Sequence, residues 1–161
     1  MVKLCTIDSS TRKTGIAIFV NGEYQDRFLI DCSSIKDSNE RVKDMGIRII
    51  KVLDSIKPDL IYIEHPQGYG RNVSTVFKLT LIIGVVFGWC LQNNCEFNEI
   101  YPSEWRKMAG FSQGNKMTRD DLKALSITLA KEKFGIDCGD DEADAISMGY
   151  GVIQNKGLKG D

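Results

Sequence analysis

The sequence lacks a surplus of positive charge. Lysine and arginine together number 21, against 22 aspartate and glutamate residues, which leaves a formal net charge of −1. A uniformly basic surface, the usual electrostatic sign of a nucleic-acid-binding protein, is therefore excluded. A local basic patch is not excluded, because acidic and basic residues can lie on different faces of one molecule.

The sequence also lacks the cysteine patterns of a disulfide framework or a zinc site. It contains five cysteines, an odd number, and no Cys-x-x-Cys pair. Several of them lie in apolar runs, so we expect free thiols in a reducing compartment. The chain starts directly with an apolar strand and without a signal-peptide pattern, which also favours an intracellular location. The cysteines are Cys5, Cys32, Cys90, Cys95 and Cys138.

Long apolar runs, internal repeats and low-complexity linkers are missing as well. The most apolar segment, residues 79–91, is shorter than the ~20 residues that a membrane-spanning helix needs, so we expect no membrane span. The length of 161 residues and the ordinary composition predict a single domain over residues 1–155. Residues 156–161 are expected to form a frayed C-terminal tail.

The order of apolar patterns predicts an α/β fold. Asn21-Gly22 between two apolar runs indicates an antiparallel hairpin, whereas the later strands follow helices and should arrive by crossover connections. We therefore expect a five-stranded mixed sheet with helices on both faces. The predicted strands are 3–8, 15–20, 24–31, 60–64 and 96–101, and the predicted helices are 38–57, 72–93, 102–107, 118–134 and 140–155.

Four acidic residues fall where this topology would bring them together. Asp8 ends the first strand, and Glu64 ends the first strand that a helical crossover reaches. If these two strands are parallel neighbours, both carboxylates lie at the carboxyl edge of the sheet, where open α/β sheets place their sites. Asp141 and Asp144 are three positions apart, so they share one face of the last helix. The pattern predicts a cluster of four carboxylates.

Each acid also has a purely structural interpretation. Asp8 could cap its turn, Glu64 could be an exposed strand end, and acids in a first helical turn stabilise the helix dipole. Asp140 and Glu142 are assigned to that structural group, as helix cap and solvated surface. Four carboxylates together instead repel one another and require a cation, and hard divalent ions prefer oxygen ligands. Two such ions ~3.5–4 Å apart support in-line phosphoryl displacement.

The combination of Asp8, Thr14-Gly15, Glu64 and Asp141-x-x-Asp144 resembles the RuvC-type Holliday junction resolvases, and within them the phage-type branch. The resemblance covers nearly the whole chain. It implies an RNase H-like nuclease domain and a magnesium-dependent homodimer that nicks two opposed strands of a four-way DNA junction. It further implies an intracellular setting, in a bacterial host if the chain is phage-encoded.

The resemblance assigns roles to individual residues. The catalytic, metal-binding acids would be Asp8, Glu64, Asp141 and Asp144, holding two Mg²⁺ ions per site with Mn²⁺ as a substitute. The helix 72–93 would pair with its symmetry mate in the homodimer. Ser9-Ser10 stands where the family often has Pro-Gly, which changes the turn but leaves the metal role of Asp8 intact.

Basic residues cluster near the expected site and are predicted to bind branched DNA. Lys107 and Lys116 match basic positions that the family uses near the scissile phosphate, so both are also assigned as catalytic charge stabilisers. Tyr69 is the candidate for the aromatic wedge that opens the junction centre. Trp105 is interpreted as a packing anchor, and His65 as incidental. The predicted DNA-binding residues are Tyr69, Arg71, Lys78, Arg106, Lys107, Lys116 and Arg119, with Lys123 in the same basic cluster.

Other functions remain open from the sequence. Another RNase H-like nuclease, such as an RNase H, a transposase-like enzyme or a broader branched-DNA endonuclease, would share the metal site and differ in substrate. The stretch from Asp8 to Gly15 also resembles the first phosphate loop of the actin-like kinases and ATPases, but these need two such domains around a nucleotide. A protein that binds junctions without cutting them is a further alternative, which the intact set of four acids disfavours.

Overall fold

The computed structural model describes residues 1–66, 72–112 and 117–158. In chain order the elements are β1 (Lys3–Asp8), β2 (Lys13–Val20), β3 (Glu23–Asp31), α1 (Ser38–Ile56), β4 (Leu60–Glu64), α2 (Val73–Asn93), β5 (Glu96–Ile100), α3 (Pro102–Met108), α4 (Arg119–Phe134) and α5 (Asp140–Lys156). The helix α5 ends at Lys156, one residue later than expected, and Leu158 packs against the core.

The strands form one five-stranded mixed sheet in the order β3-β2-β1-β4-β5. The strands β1, β2 and β3 are antiparallel neighbours, while β4 pairs with β1 and β5 pairs with β4 in parallel. Asn21 and Gly22 both have positive φ, as a tight hairpin turn requires. The predicted mixed sheet is confirmed.

Helices cover both faces of the sheet, as predicted. Successive residues of β1 point to opposite faces, so Cys5 and Ile7 pack beneath α1 and α2, while Leu4 faces the side of α3 and α5. Trp105 and Ile146 are buried in this second core. All five cysteines are free, in agreement with the expectation of free thiols.

The helix α2 agrees with the predicted helix 72–93, and it is longer than the apolar segment 79–91 on which the expectation of no membrane span rested. It has 21 residues, and within the described part of the chain it is the one helix that is long and apolar enough to cross a membrane, judged by length and composition alone. The argument from a short apolar segment is therefore wrong. Helices that pack on a sheet pass the same test, and Ile82, Val86 and Trp89 of α2 are buried in the core it shares with α1. The absence of a membrane span stays a prediction.

Candidate active site

The sheet register brings Asp8 and Glu64 to the same edge. Ile7 pairs with Ile63 in the parallel ladder between β1 and β4, so the acid that follows each of them lies at the carboxyl end of its strand. The strand β1 is the central strand of the sheet and β4 is its parallel neighbour, so both acids lie at the carboxyl edge where the sequence predicted the site.

The helix α5 reaches this edge because a glycine leaves room for it. Gly15 of β2 pairs with Asp8 in the antiparallel ladder. A Cβ atom at Gly15 would lie 2.0 Å from the carbonyl oxygen of Asp141, so the first turn of α5 lies directly on the backbone of β2. The buried hydroxyl of Thr6 also donates a 2.7 Å hydrogen bond to the carbonyl oxygen of Ala145. Together these contacts fix the start of α5 beside the end of β1.

One pocket of about 340 Å³ collects the four predicted acids. Asp8 and Glu64 come from the sheet and Asp141 and Asp144 from α5, as the topology predicted. The other lining residues are Ser9, Ser10, Pro102, Arg106, Arg119, Leu122, Lys123 and Asp140.

The pocket disfavours the simultaneous ionisation of its acids. Burial raises the pKa of Asp8 well above its usual range, and the negative charges of Glu64, Asp144 and Asp141 raise it further, against the opposing effect of Arg106. Burial, Glu64 and Asp140 raise the pKa of Asp144 to about 6, although Ser126 and Arg106 act in the opposite direction. A bound cation would relieve this repulsion.

The pKa of Asp141 is raised as well, by burial first and then by the neighbouring charge of Asp140. Lys13 and Lys123 oppose this shift. The three acids therefore share one cause, which is the withdrawal of carboxyl groups from water beside other carboxylates.

The donor set fits a hard divalent cation. Carboxylate oxygens are the preferred ligands of Mg²⁺, which keeps several of its waters and is held by one or two carboxylates rather than by a closed protein cage. In the described part of the chain, no three acidic, histidine or cysteine side chains are arranged as a ready-made metal cage.

The predicted basic residues divide into three groups. Arg106 and Arg119 line the pocket. Lys107 is exposed on α3 and is not among the lining residues, while the ammonium group of Lys78 donates a 2.7 Å hydrogen bond to the hydroxyl of Ser38 at the start of α1. The DNA-binding roles of all four stay predictions. Tyr69, Arg71 and Lys116 lie outside the described residues.

The interpretation of Asp140 and Glu142 as cap and solvated surface is wrong. Gly139 is the N-cap of α5, while Asp140 lines the pocket and forms an ion pair with Lys123. The side chain of Glu142 is only 15% exposed and lies 2.8 Å from the guanidinium of Arg27. Glu142 meets Arg27 because the first turn of α5 lies near β3, and Asp140 meets Lys123 because α4 packs beside α5. Neither neighbour can be read from the sequence of α5 alone.

Trp105 has a contact that sequence reasoning missed. It is fully buried, as expected of a packing anchor, but its indole Nε1 also donates a 2.8 Å hydrogen bond to Oε2 of Glu64. The order of the elements could have indicated this contact. The helix α3 directly follows β5, the parallel neighbour of β4, and therefore begins at the edge of the sheet that carries Glu64. His65 instead contacts Glu99 and stacks near Tyr101, consistent with its exclusion from the site.

The turn after Asp8 is held by its own hydroxyl groups. The Ser10 hydroxyl accepts hydrogen bonds from the backbone N–H groups of Arg12 and Lys13, at 3.1 and 3.2 Å. The hydroxyl of Thr14 donates to the carbonyl oxygen of Ser10 at 3.1 Å. Side-chain bonds of this kind stabilise turns without proline or glycine, which explains how Ser9-Ser10 replaces Pro-Gly.

The fold has close counterparts among solved structures, although no family model and no curated protein sequence matches the chain. Thermus thermophilus RuvC in complex with a Holliday junction substrate superposes with a TM-score of 0.73 at 13% identity, covering 98% of this chain and 96% of that one. The fowlpox virus resolvase in complex with Holliday junction DNA gives 0.67 at 17% identity, covering 98% and 100%. The yeast mitochondrial Holliday junction resolvase gives 0.62 at 13% identity, covering 98% and 80%.

These similarities extend over nearly the whole length of this chain. The chain therefore has the RNase H-like fold of the RuvC-type resolvases, as its motifs predicted.

Proposed function

We propose that the chain is a metal-dependent endonuclease that resolves four-way DNA junctions by paired nicks. The observation that carries this proposal is the meeting of Asp8, Glu64, Asp141 and Asp144 in one pocket at the carboxyl edge of the sheet. Two of the structures that share the fold are complexes with Holliday junction DNA, which supports junctions as the substrate.

In this proposal the chain's own residues bind and orient the scissile phosphate. Asp8, Glu64, Asp141 and Asp144 would hold two Mg²⁺ ions, which would supply an activated water and a Lewis acid at the phosphoryl oxygens. Arg106 of α3 and Arg119 of α4, which both line the pocket, bind flanking phosphates. Lys116 or Lys107 stabilises the negative charge that develops on the phosphoryl oxygens during in-line attack.

Paired nicking requires two sites, and we propose that α2 supplies the homodimer contact. One stripe of α2 leaves large apolar side chains in water: Val73 is 83%, Phe77 62% and Leu91 67% exposed, with Leu81 between them. Burial of such a stripe against its symmetry-related copy would remove apolar surface from water on both subunits. The two active sites would then face opposed strands of one junction.

The test is strand-specific nicking of a synthetic mobile four-way junction in Mg²⁺, Mn²⁺ or chelator. The wild-type chain should place nicks on two opposed strands only when a divalent ion is present. Asp8→Asn should abolish nicking while junction binding, measured by gel shift, persists. Nicking by Asp8→Asn at the wild-type rate would refute the assignment.

A substrate panel separates this function from its relatives. The assay compares the rates of cutting of four substrates under the same conditions: the junction, a replication fork, an RNA–DNA hybrid and a linear duplex. Preferential cutting of the hybrid would instead identify an RNase H, and equal cutting of fork and junction a broader branched-DNA endonuclease.

A further inference from the structure

The contact between Trp105 and Glu64 joins a buried neutral donor to a proposed metal ligand. The indole Nε1–H of Trp105 lies 2.8 Å from Oε2 of Glu64. An indole is a donor only and carries no charge, so it orients the carboxylate without neutralising it. A lysine or arginine at the same place would compensate the negative charge that a cation needs.

The buried indole packs against two neighbouring side chains. Trp105 is fully buried, and the ring of Phe111 meets it edge-on with 6.1 Å between centroids. The guanidinium of Arg106, which also lines the pocket, lies over the indole at 4.9 Å from its centroid. Packing therefore helps to direct the N–H bond towards Glu64.

The same contact ties Glu64 to the helix that carries two other acids. A Cβ atom at Gly151 of α5 would lie 3.0 Å from the carbonyl oxygen of Trp105 and 2.9 Å from the backbone nitrogen of Ala109. The backbones of α3 and α5 thus touch, and α5 also presents Asp141 and Asp144. Trp105 therefore links the position of the Glu64 carboxylate on the sheet to the position of the two carboxylates on α5.

We propose that Trp105 is a positioning residue for the metal site, whose indole N–H holds the Glu64 carboxylate in the orientation that binds a divalent cation. The inference rests on the proposed function in that Glu64 is taken as a metal ligand. Groups that hydrogen-bond to metal ligands typically contribute 10–100-fold to metal affinity or activity. A purely structural role would affect folding alone.

The chain contains a matched control. It has two tryptophans, and Trp89 also donates a 2.8 Å hydrogen bond from its indole Nε1 to a carboxylate, that of Asp54. That pair joins α2 to α1 on the other face of the sheet. Trp105→Phe and Trp89→Phe therefore remove the same kind of bond, in one case at the pocket and in the other away from it.

The experiment measures Mn²⁺ binding by isothermal titration calorimetry without DNA, alongside the Mg²⁺ dependence of nicking. Trp105→Phe should weaken Mn²⁺ binding by about 10–100-fold and raise the Mg²⁺ concentration for half-maximal nicking by a similar factor. Trp89→Phe should leave both quantities unchanged. Equal effects of the two variants, unchanged values in a folded Trp105→Phe, or the absence of Mn²⁺ binding by the wild-type chain would overturn the proposal.

A second measurement on the wild-type chain keeps the test decisive if Trp105→Phe does not fold. Its ¹H–¹⁵N spectrum should contain two indole signals, which Trp89→Phe assigns. Saturating Mg²⁺ should shift the Trp105 signal and leave that of Trp89 in place, whereas an unmoved Trp105 signal contradicts the proposal. A chain that cuts no junction but shows these metal-binding effects would refute the proposed function and retain this inference.

Discussion

Gly15→Ala is the substitution that tests most directly how the fold builds the pocket. The added Cβ would lie 2.0 Å from the carbonyl oxygen, 2.4 Å from the carbonyl carbon of Asp141 and 2.8 Å from the backbone nitrogen of Glu142. Real Cβ atoms essentially never come closer than 3.0 Å to another heavy atom. The clash is with backbone, so no side-chain rotation relieves it, and α5 and β2 must separate by about 1 Å or more.

This separation acts on both stability and activity. Overpacking of this kind costs about 1–3 kcal/mol, which lowers the melting temperature by roughly 2–4 °C per kcal/mol for a chain of this size. The same movement carries Asp141 away from Asp8, and a misplacement of about 1 Å in an active site can cost ~100-fold in rate.

The assay combines thermal unfolding with single-turnover nicking of a junction in saturating Mg²⁺. Gly46→Ala in α1 is the control, because its Cβ would meet Val85 at an ordinary 3.4 Å and helical propensity favours alanine by about 1 kcal/mol. Gly15→Ala should melt lower and nick ~100-fold more slowly, and Gly46→Ala should do neither. A Gly15→Ala variant with wild-type melting and nicking would refute the claim that contact between α5 and β2 sets the site.

Two further predictions concern charge and assembly. Because the folded state raises the pKa of Asp144 to about 6, the folded chain binds this proton more tightly than the unfolded chain does. The contribution of Asp144 to metal-free stability is therefore greatest in acid and is lost as the pH rises towards and through 6. Asp144→Asn should therefore be more stable than the wild type by about 1–3 kcal/mol at pH 7.5 in chelator, and this advantage should disappear near pH 4. An advantage that does not change with pH would contradict the prediction. Leu81→Glu, on the exposed stripe of α2, should give monomers in sedimentation velocity, whereas Ile127→Glu on α4, also exposed, should not; a dimeric Leu81→Glu would exclude this face.

The position of the site was predictable because it follows from topology. A strand that ends in Asp8, a crossover, and a second strand that ends in Glu64 can be read from apolar patterns, and parallel neighbours must bring both acids to one edge. Asp141 and Asp144 could be added because helical periodicity places both on one face.

Contacts between distant elements could not be predicted in the same way. The position of Glu142 in the first turn of a helix predicts a solvated acid that stabilises the helix dipole, yet Arg27 from β3 lies beside it. Trp105 was recognised as a core residue from its type, but the direction of its N–H bond depends on how α3 packs against α5. Neither contact has a local sequence signal, because each joins segments about 40 or more residues apart.

The sequence by itself determined the mixed sheet, the helices on both faces and the four acids that could meet at its edge. These features depend on local patterns, namely alternation, helical spacing and turn residues, which act over a few neighbouring positions. The tertiary structure alone decided that α5 lies on Gly15, that Asp140 and Lys123 belong to the pocket, and that an indole holds Glu64. The reason is physical: burial and hydrogen-bond partners depend on the close packing of whole elements, which no single stretch of sequence specifies.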